Sequence, residues 1–232
     1  MKMVEEHVSA RVLRAVTALR NGNPVLLHDS PGRENEVDLV LPAIYCTPES
    51  VGFLRVSAGG LICSAIGREV AAKIGIPFMH DILANAAAAY PVLSSVIETA
   101  TPYGGKPAFS ITLNHRKSFT GVTDNDRSMT IRAIGRLAEI VAGADGNAAE
   151  EFTSTLKSPG HVPLLIEADG SLSERRGHTE LSIRLMRLAG LPPASVVCEM
   201  LDGKTHSSMT LGDASRFAHE KDLVLIEGNE IL

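Results

Sequence analysis

Three carboxylates, Glu34, Glu36 and Asp38, stand at alternate positions in "PGRENEVDLVLPA", just ahead of an apolar run. In an extended segment residues two apart share a face, so these groups would line up roughly 7 Å apart. Water tolerates such a row. In a partly enclosed cleft with an effective dielectric of about 20, each adjacent pair repels by about 2 kcal/mol. The row therefore either faces solvent or expects a positive partner. A second group of residues, Arg175, Arg176, Gly177, His178 and Thr179 in "SERRGHTELSIRLMRLAG", falls where a loop becomes a helix. A helix start offers unpaired N–H groups and a positive dipole end. Glycine lets the backbone approach a ligand, while arginine and threonine add donors suited to phosphate. The plain alternative carries equal weight: Thr179 caps the helix, Glu180 complements its dipole and the arginines face solvent.

His178 taken alone reads as a structural or surface histidine. Beside the carboxylate row it gains a second meaning, because a Glu/His pair with open positions for water suits Mg²⁺ or Mn²⁺. Such a cation would offset the repulsion in the row and leave other carboxylates free to move protons. His161, in "KSPGHVPLLIE", stands at the mouth of a strand; it is either a turn histidine or a proton carrier. Glu199 follows an apolar run in "VVCEML", where a carboxylate is costly unless it is partnered or functional. Ligand crevices in open α/β sheets form at the carboxyl ends of strands. Cys198 and Cys63 read as core residues, with a role near the site secondary for Cys63. The loop "NHRKSFTGVTDNDR" gathers His115, Arg116, Lys117, Thr120, Asp124, Asp126 and Arg127. It is either a solvated turn or, through Thr120-Gly121 ahead of a helix start, a contributor of phosphate or substrate contacts.

The elements that must position these residues alternate along the chain. Ser9 caps a helix whose apolar residues recur at Val12, Leu13, Val16 and Leu19, and "NGNP" stops it. "VLLHD" and "VDLVLPA" read as strands, and Thr47-Pro48-Glu49 opens a helix. Further on, "GGLICSAI", "AFSITLNH", "HVPLLIEA", "ASVVCEML" and "LVLIEG" predict strands. "GREVAAKIG", "TDNDRSMTIRAIGRLAEIVAGA", "GHTELSIRLMRLAGLPP" and "GDASRFAHEKD" predict helices. Residues 143 to 158 read as the most mobile loop. Alternation of this kind predicts an α/β class with helices covering a sheet.

The 232 residues suit one large domain or two small ones, and no linker separates two. Aromatics at 4% with no Trp leave base-stacking surfaces poorly supplied, and a net charge of −5 argues against a broad nucleic-acid footprint. Three cysteines without a C-x-x-C give neither a disulfide framework nor a zinc knuckle. The N-terminus carries acids early and lacks an apolar signal core. The stretch Ile82 to Leu93 is too short and too broken by Asn85 and Pro91 to span a bilayer. A soluble protein of a reducing compartment is expected.

Taken together and in order, these segments resemble one family, the 3,4-dihydroxy-2-butanone 4-phosphate synthases of riboflavin biosynthesis. The resemblance rests on "DSPGRENEVDLVLPA", "AGGLICSAI", "IGIPFMHDIL", "FSITLNHRKSFTGVTDNDRSMTI", "SPGHVPLL", "RRGHTELSIRLMRLAGL" and "VVCEMLDG", from about residue 20 to about residue 225. The "NHRKSFTGVTDNDR" loop looks like the archaeal branch, in a stand-alone form without a fused GTP cyclohydrolase II domain. The resemblance implies a three-layer α/β/α single domain over residues 1–232, built around a mixed β-sheet. It implies a cytoplasmic carbon–carbon lyase using Mg²⁺ or Mn²⁺. D-ribulose 5-phosphate would be converted to formate and L-3,4-dihydroxybutan-2-one 4-phosphate. A homodimer with sites near the subunit interface is implied, with no nucleic-acid or membrane partner.

Carried onto this chain, the resemblance makes Glu34 and His178 the metal ligands and Arg33 and Asp38 substrate contacts; Glu34 and, from its place in the loop, Thr120 are expected to touch substrate as well. Arg175, Arg176, Gly177, His178 and Thr179 would hold the phosphate end. His161 and Glu199 would be essential to turnover, with Glu199 also touching substrate. Glu36, Asp38, His161 and Glu199 would share the acid–base work. Two positions depart from the family pattern: Val37, where many members carry a small residue, and "DGKTHSSMT" after Glu199. The rival readings are another metal-dependent sugar-phosphate lyase or isomerase, a fold-related RNA-binding module, and an inactive paralogue acting through interactions.

Overall fold

Helix α1 (Ala10–Arg20) starts at Ser9, whose hydroxyl accepts the amide of Val12 at 3.2 Å, and it buries Val12, Ala15, Val16 and Leu19. The computed structural model of the chain describes residues 9–97, 101–102, 105–143 and 145–232. Strands β1 (Val25–His28) and β2 (Val37–Pro42) follow, then α2 (Pro48–Ser57), closed by a capping box between Thr47 and Ser50. Next come β3 (Cys63–Ile66), α3 (Arg68–Ile74), α4 (Met79–Ala86), β4 (Phe109–His115) and the long α5 (Asp124–Val141), capped by Thr123. The chain continues through α6 (Ala148–Thr155), β5 (Leu156–Ile166), α7 (His178–Leu188) and β6 (Ala194–Glu199). A small hairpin of β7 (Leu201–Asp202) and β8 (Ser207–Ser208), then α8 (Leu211–Glu220) and β9 (Leu225–Glu227), complete it.

Among the described residues, seven strands form one mixed sheet in the order β4-β5-β3-β6-β2-β1-β9. β2 runs antiparallel to both β1 and β6, while β3 pairs parallel with β5 and β1 with β9. Side chains alternate between two cores, as the pleat requires. Leu39 and Leu41 pack into one core with α2, α3, α5 and α8. Val25, Leu27 and Val40 pack into the other with α1 and α7. A sheet covered on both faces explains why β1, β2 and β3 are buried at every position. The three-layer α/β/α architecture expected from the resemblance is the observed one. Val37 is a core residue at 0% exposure, so the larger side chain at that departure is accommodated by packing. Among the described residues no helix is long and apolar enough to cross a membrane.

Two local expectations are overturned. The segment read as a mobile loop over 143–158 contains α6 and the start of β5. Asn147 accepts the amides of Ala149 and Glu150 at 3.1 and 3.4 Å, and Ala148 and Phe152 supply the burial that holds this helix down. The carboxylate row does not lie along one strand. Residues 31–34 form a turn, Asn35 takes a left-handed φ of 56°, and the strand begins only at Val37. The loop has a better use for its backbone: the Asp29 carboxylate accepts the amides of Glu34 and Glu36, at 3.0 and 3.1 Å.

Candidate active site

Where β1 and β6 end and the antiparallel β2 begins, the fold brings together four acids, Asp29, Glu34, Asp38 and Glu199, and a histidine. Asp38 on β2 pairs in register with Glu199, the last residue of β6. α7 packs beneath, with His178 as its first residue. His178 Nδ1 lies 3.1 Å from Glu34 Oε2, and its Nε2 lies 3.2 Å from the Glu36 carbonyl oxygen and 3.6 Å from Asp38 Oδ1. Asp29, at the end of β1, closes the base of the acidic loop. His28 Nε2 meets Asn35 Oδ1 at 3.1 Å and braces the left-handed turn.

A cleft of about 250 Å³ opens over this cluster. Arg33, Glu34, Asp38, Gly177, His178, Thr179 and Glu199 line it, with Arg175 at one side, so most of the residues marked in the sequence come together. The apolar wall is Cys63, Phe109, Leu165 and Val197. Glycine is required at two contacts. A Cβ at Gly60 would stand 2.5 Å from Glu199 Oε2, and one at Gly177 would stand 2.7 Å from Arg33 Nη1. The first lets Glu199 lie flat against the backbone and accept the Leu61 amide at 2.8 Å. The second lets the Arg33 guanidinium cross the start of α7.

Arg175 is engaged differently from the expectation of a free phosphate fork. Its Nε and Nη2 donate to Glu180 at 2.9 and 2.7 Å, and its Nη1 donates to the Lys106 carbonyl at 2.8 Å. Glu180 is fully buried and also accepts the amides of Ala168 and Gly177. Arg175 thus holds the loop before α7 in shape, and the amides at the start of α7 remain the better anion donors. Four marked residues do not line the cleft. Arg176 is exposed and donates to the Leu172 carbonyl. Thr120 turns to Asp126 at 3.4 Å. His161 faces Asn114 on β4 at 3.2 Å. Glu36 contributes its carbonyl to His178, while its carboxylate accepts from Ser208.

Asp29 and Lys106 are site residues that the motifs did not single out. Asp29 carries the same signal as Glu199, an acid at the carboxyl end of an apolar run. Lys106 lines the cleft but sits in "GGKPAF", where no local pattern distinguishes it.

The electrostatics follow from burial and crowding. Burial raises Asp38 to about 7; His178 opposes that rise, and Glu199, Glu34 and Glu36 add to it. Burial alone would lower His178, but Asp38, the hydrogen bond to Glu34 and the nearby Asp29 overcome it and lift His178 to about 9. Burial, reinforced by Glu199 and Asp38, pushes the Cys63 thiol well up, which keeps it protonated and unsuited to nucleophilic attack.

The donor set fits a hard divalent cation. Asp29, Glu34 and His178 each offer an atom within 4.8 Å of the others. Asp38 Oδ1, beside the same histidine, is buried with no hydrogen-bond partner among the described residues. Two carboxylates, an imidazole and space for water match the preferences of Mg²⁺ or Mn²⁺ rather than those of a thiolate-seeking metal.

A family model described as 3,4-dihydroxy-2-butanone 4-phosphate synthase matches residues 13–232. A 3,4-dihydroxy-2-butanone 4-phosphate synthase from Methanothermobacter thermautotrophicus is 45% identical over 221 residues, covering 95% of this chain and 94% of that protein. A solved 3,4-dihydroxy-2-butanone 4-phosphate synthase in complex with two magnesium ions superposes with a TM-score of 0.74 at 26% identity, covering 94% of this chain and 93% of the other. A two-domain 3,4-dihydroxy-2-butanone 4-phosphate synthase from A. baumannii gives a TM-score of 0.75 at 28% identity; this chain spans 56% of its length.

Proposed function

The chain belongs to the 3,4-dihydroxy-2-butanone 4-phosphate synthase family of enzymes, and from that premise we propose that it is a single-domain lyase converting D-ribulose 5-phosphate to formate and L-3,4-dihydroxybutan-2-one 4-phosphate. The observation that carries this reading is the meeting of Glu34, Asp38, His178 and Glu199 in one cleft at the amino end of α7. Glu34 and His178, with Asp29 behind them, would hold Mg²⁺ or Mn²⁺. When bound, the ion polarises the sugar carbonyl and helps hold neighbouring oxygens.

The chain's own groups account for the rest. Arg33, Lys106 and the first amides of α7, at His178 and Thr179, bind the phosphate end and orient the sugar. The reaction needs a proton removed beside a carbonyl, then rearrangement through an enediol and loss of one carbon. Asp38, raised to about 7, is balanced to accept and return protons near neutral pH. Glu199, its neighbour in the sheet register, is the second proton carrier, held by the Leu61 amide through one oxygen. The wall of Cys63, Phe109, Leu165 and Val197 keeps water from the reacting carbons. Glu36 acts mainly through its carbonyl on His178.

A homodimer follows from the same reading. Thr120 and His161 do not line the cleft of their own chain, and Phe119 beside Thr120 is exposed at 97%. A second copy covering Phe119 would bring these residues to a cleft. Mixing inactive His161→Ala and Glu199→Gln chains should then restore activity, since a mixed pair holds one intact site.

The direct test is incubation with ribulose 5-phosphate and Mg²⁺, with and without EDTA, following formate and the four-carbon phosphate. Stoichiometric formate that disappears with EDTA is expected. Formate production by folded Glu199→Gln at the parent rate would sink the assignment of that residue.

A further inference from the structure

The segment after Glu199 builds a contact that the proposed reaction does not require. Met200 donates its amide to the Val37 carbonyl, and Met209 donates to Met200, at 2.9 and 2.7 Å. These two bonds stitch the base of the β7–β8 hairpin to the first residue of β2. Its turn is closed by Asp202, which accepts the Lys204 amide and the Thr205 hydroxyl at 2.8 and 2.9 Å. The hairpin is therefore a fixed arm, and its last residue, Ser208, donates its hydroxyl to the Glu36 carboxylate across 172 positions of sequence. Glu36 is held at its amide by the Asp29 carboxylate, at its carbonyl by the Asp29 amide at 3.4 Å and by His178 Nε2, and at its side chain by Ser208.

The contact with Nε2 decides which nitrogen of His178 is available. An Nε2–H that donates to the Glu36 carbonyl leaves Nδ1 facing Glu34, 3.1 Å away. That is the geometry in which an imidazole and a carboxylate share a cation, with a carbonyl fixing the tautomer from behind. With the Glu36 side chain free to swing, only the Asp29 bonds, the longer of them 3.4 Å, would hold the Glu36 carbonyl toward His178, and the ring would be less tightly oriented.

We propose that Ser208 is a positioning residue for the cation end of the site, acting through Glu36 on the orientation of His178. This rests on the reading of Glu34 and His178 as the ligand pair. The test uses Mn²⁺ as the probe, with free ion read by electron paramagnetic resonance on the EDTA-treated full chain without substrate. Ser208→Ala should weaken Mn²⁺ binding about tenfold, as expected for loss of a supporting partner. Ser208→Thr, which keeps the hydroxyl, should restore it, and the Tm of both should match the parent. With saturating metal, the kcat of Ser208→Ala should return toward the parent value. Glu34→Gln run in parallel separates the two readings. If Glu34→Gln loses Mn²⁺ while Ser208→Ala binds it like the parent, the role of Ser208 is overturned and the ligand pair stands. If Glu34→Gln also binds like the parent, the ligand pair itself falls. A Tm drop shared by the Ala and Thr variants would make Ser208 merely structural and equally overturn the proposal.

Discussion

Divalent-cation binding by this chain should be tightly linked to pH, because a proton and the cation compete for the same place. His178 is lifted to about 9, chiefly by Asp38 and the hydrogen bond to Glu34, against the opposing effect of burial. Its Nδ1 proton points at Glu34 Oε2, 3.1 Å away, where a shared cation would sit. A raised value means that the charged imidazole is the favoured form below it, and a charged imidazole cannot ligate. At pH 7 the neutral ring is then a small minority form, which costs a few kcal/mol of apparent affinity, since each pKa unit is worth about 1.4 kcal/mol. The apparent Kd for Mg²⁺ should therefore fall about tenfold per pH unit as the pH rises from 7 toward 9, and then level off. Below 7 the dependence should steepen, since Asp38, raised to about 7, then takes up a second proton. The assay is calorimetric titration of EDTA-treated protein with Mg²⁺ across this range. Two buffers of different ionisation enthalpy would count released protons, with close to one per ion expected near pH 7.5. A Kd that is flat from pH 7 to 9, or binding without proton release, would refute the argument that His178 is both protonated and a ligand.

Gly60→Ala places a Cβ 2.5 Å from both Glu199 Oε2 and the Glu199 carbonyl oxygen, so the end of β6 must shift with its side chain; formate release should drop about a hundredfold, and the Tm should fall as well. Glu180→Ala strands the Arg175 guanidinium and removes the acceptor of the Ala168 and Gly177 amides. Urea denaturation should show a loss of about 3–5 kcal/mol, as for the breaking of a buried pair. Burial opposes ionisation of Glu167, but hydrogen bonds from Arg187, Ser171 and the Arg68 amide outweigh it and hold the carboxyl below its ordinary value of 4.5. Its contribution is present above that value and is lost as the pH falls through the folded one. Thermal scans between pH 6 and 3 should accordingly show a shallower decline for Glu167→Gln than for the parent.

Much of this protein is legible in its sequence wherever the controlling physics is local. Ser9, Thr47 and Thr123 cap their helices because a side-chain oxygen a few residues away is enough to satisfy a free amide. Unbroken apolar runs mark strands covered on both faces, and Glu199, the acid within "VVCEML", lies in the cleft. The Arg-Arg-Gly-His-Thr stretch lies at the start of a helix as its composition predicts. The segment 143–158 shows where local reading fails, since α6 depends on Ala148 and Phe152 finding a core that only the folded sheet provides.

What the sequence leaves open is which of its chemical groups meet. Glu34 and His178 are 144 positions apart, and they touch because β2 pairs with β6 while α7 packs under both. The alternation of Glu34, Glu36 and Asp38 suggests one shared face, but the Asp29 carboxylate and a left-handed Asn35 fold the loop and separate them. Arg175 carries a fork suited to phosphate, and the buried Glu180 claims it instead. Residue types and short spacings thus determined the kinds of chemistry available. Strand register and the hydrogen-bond demands of buried carboxylates, which act across the whole chain, decided which residues perform it.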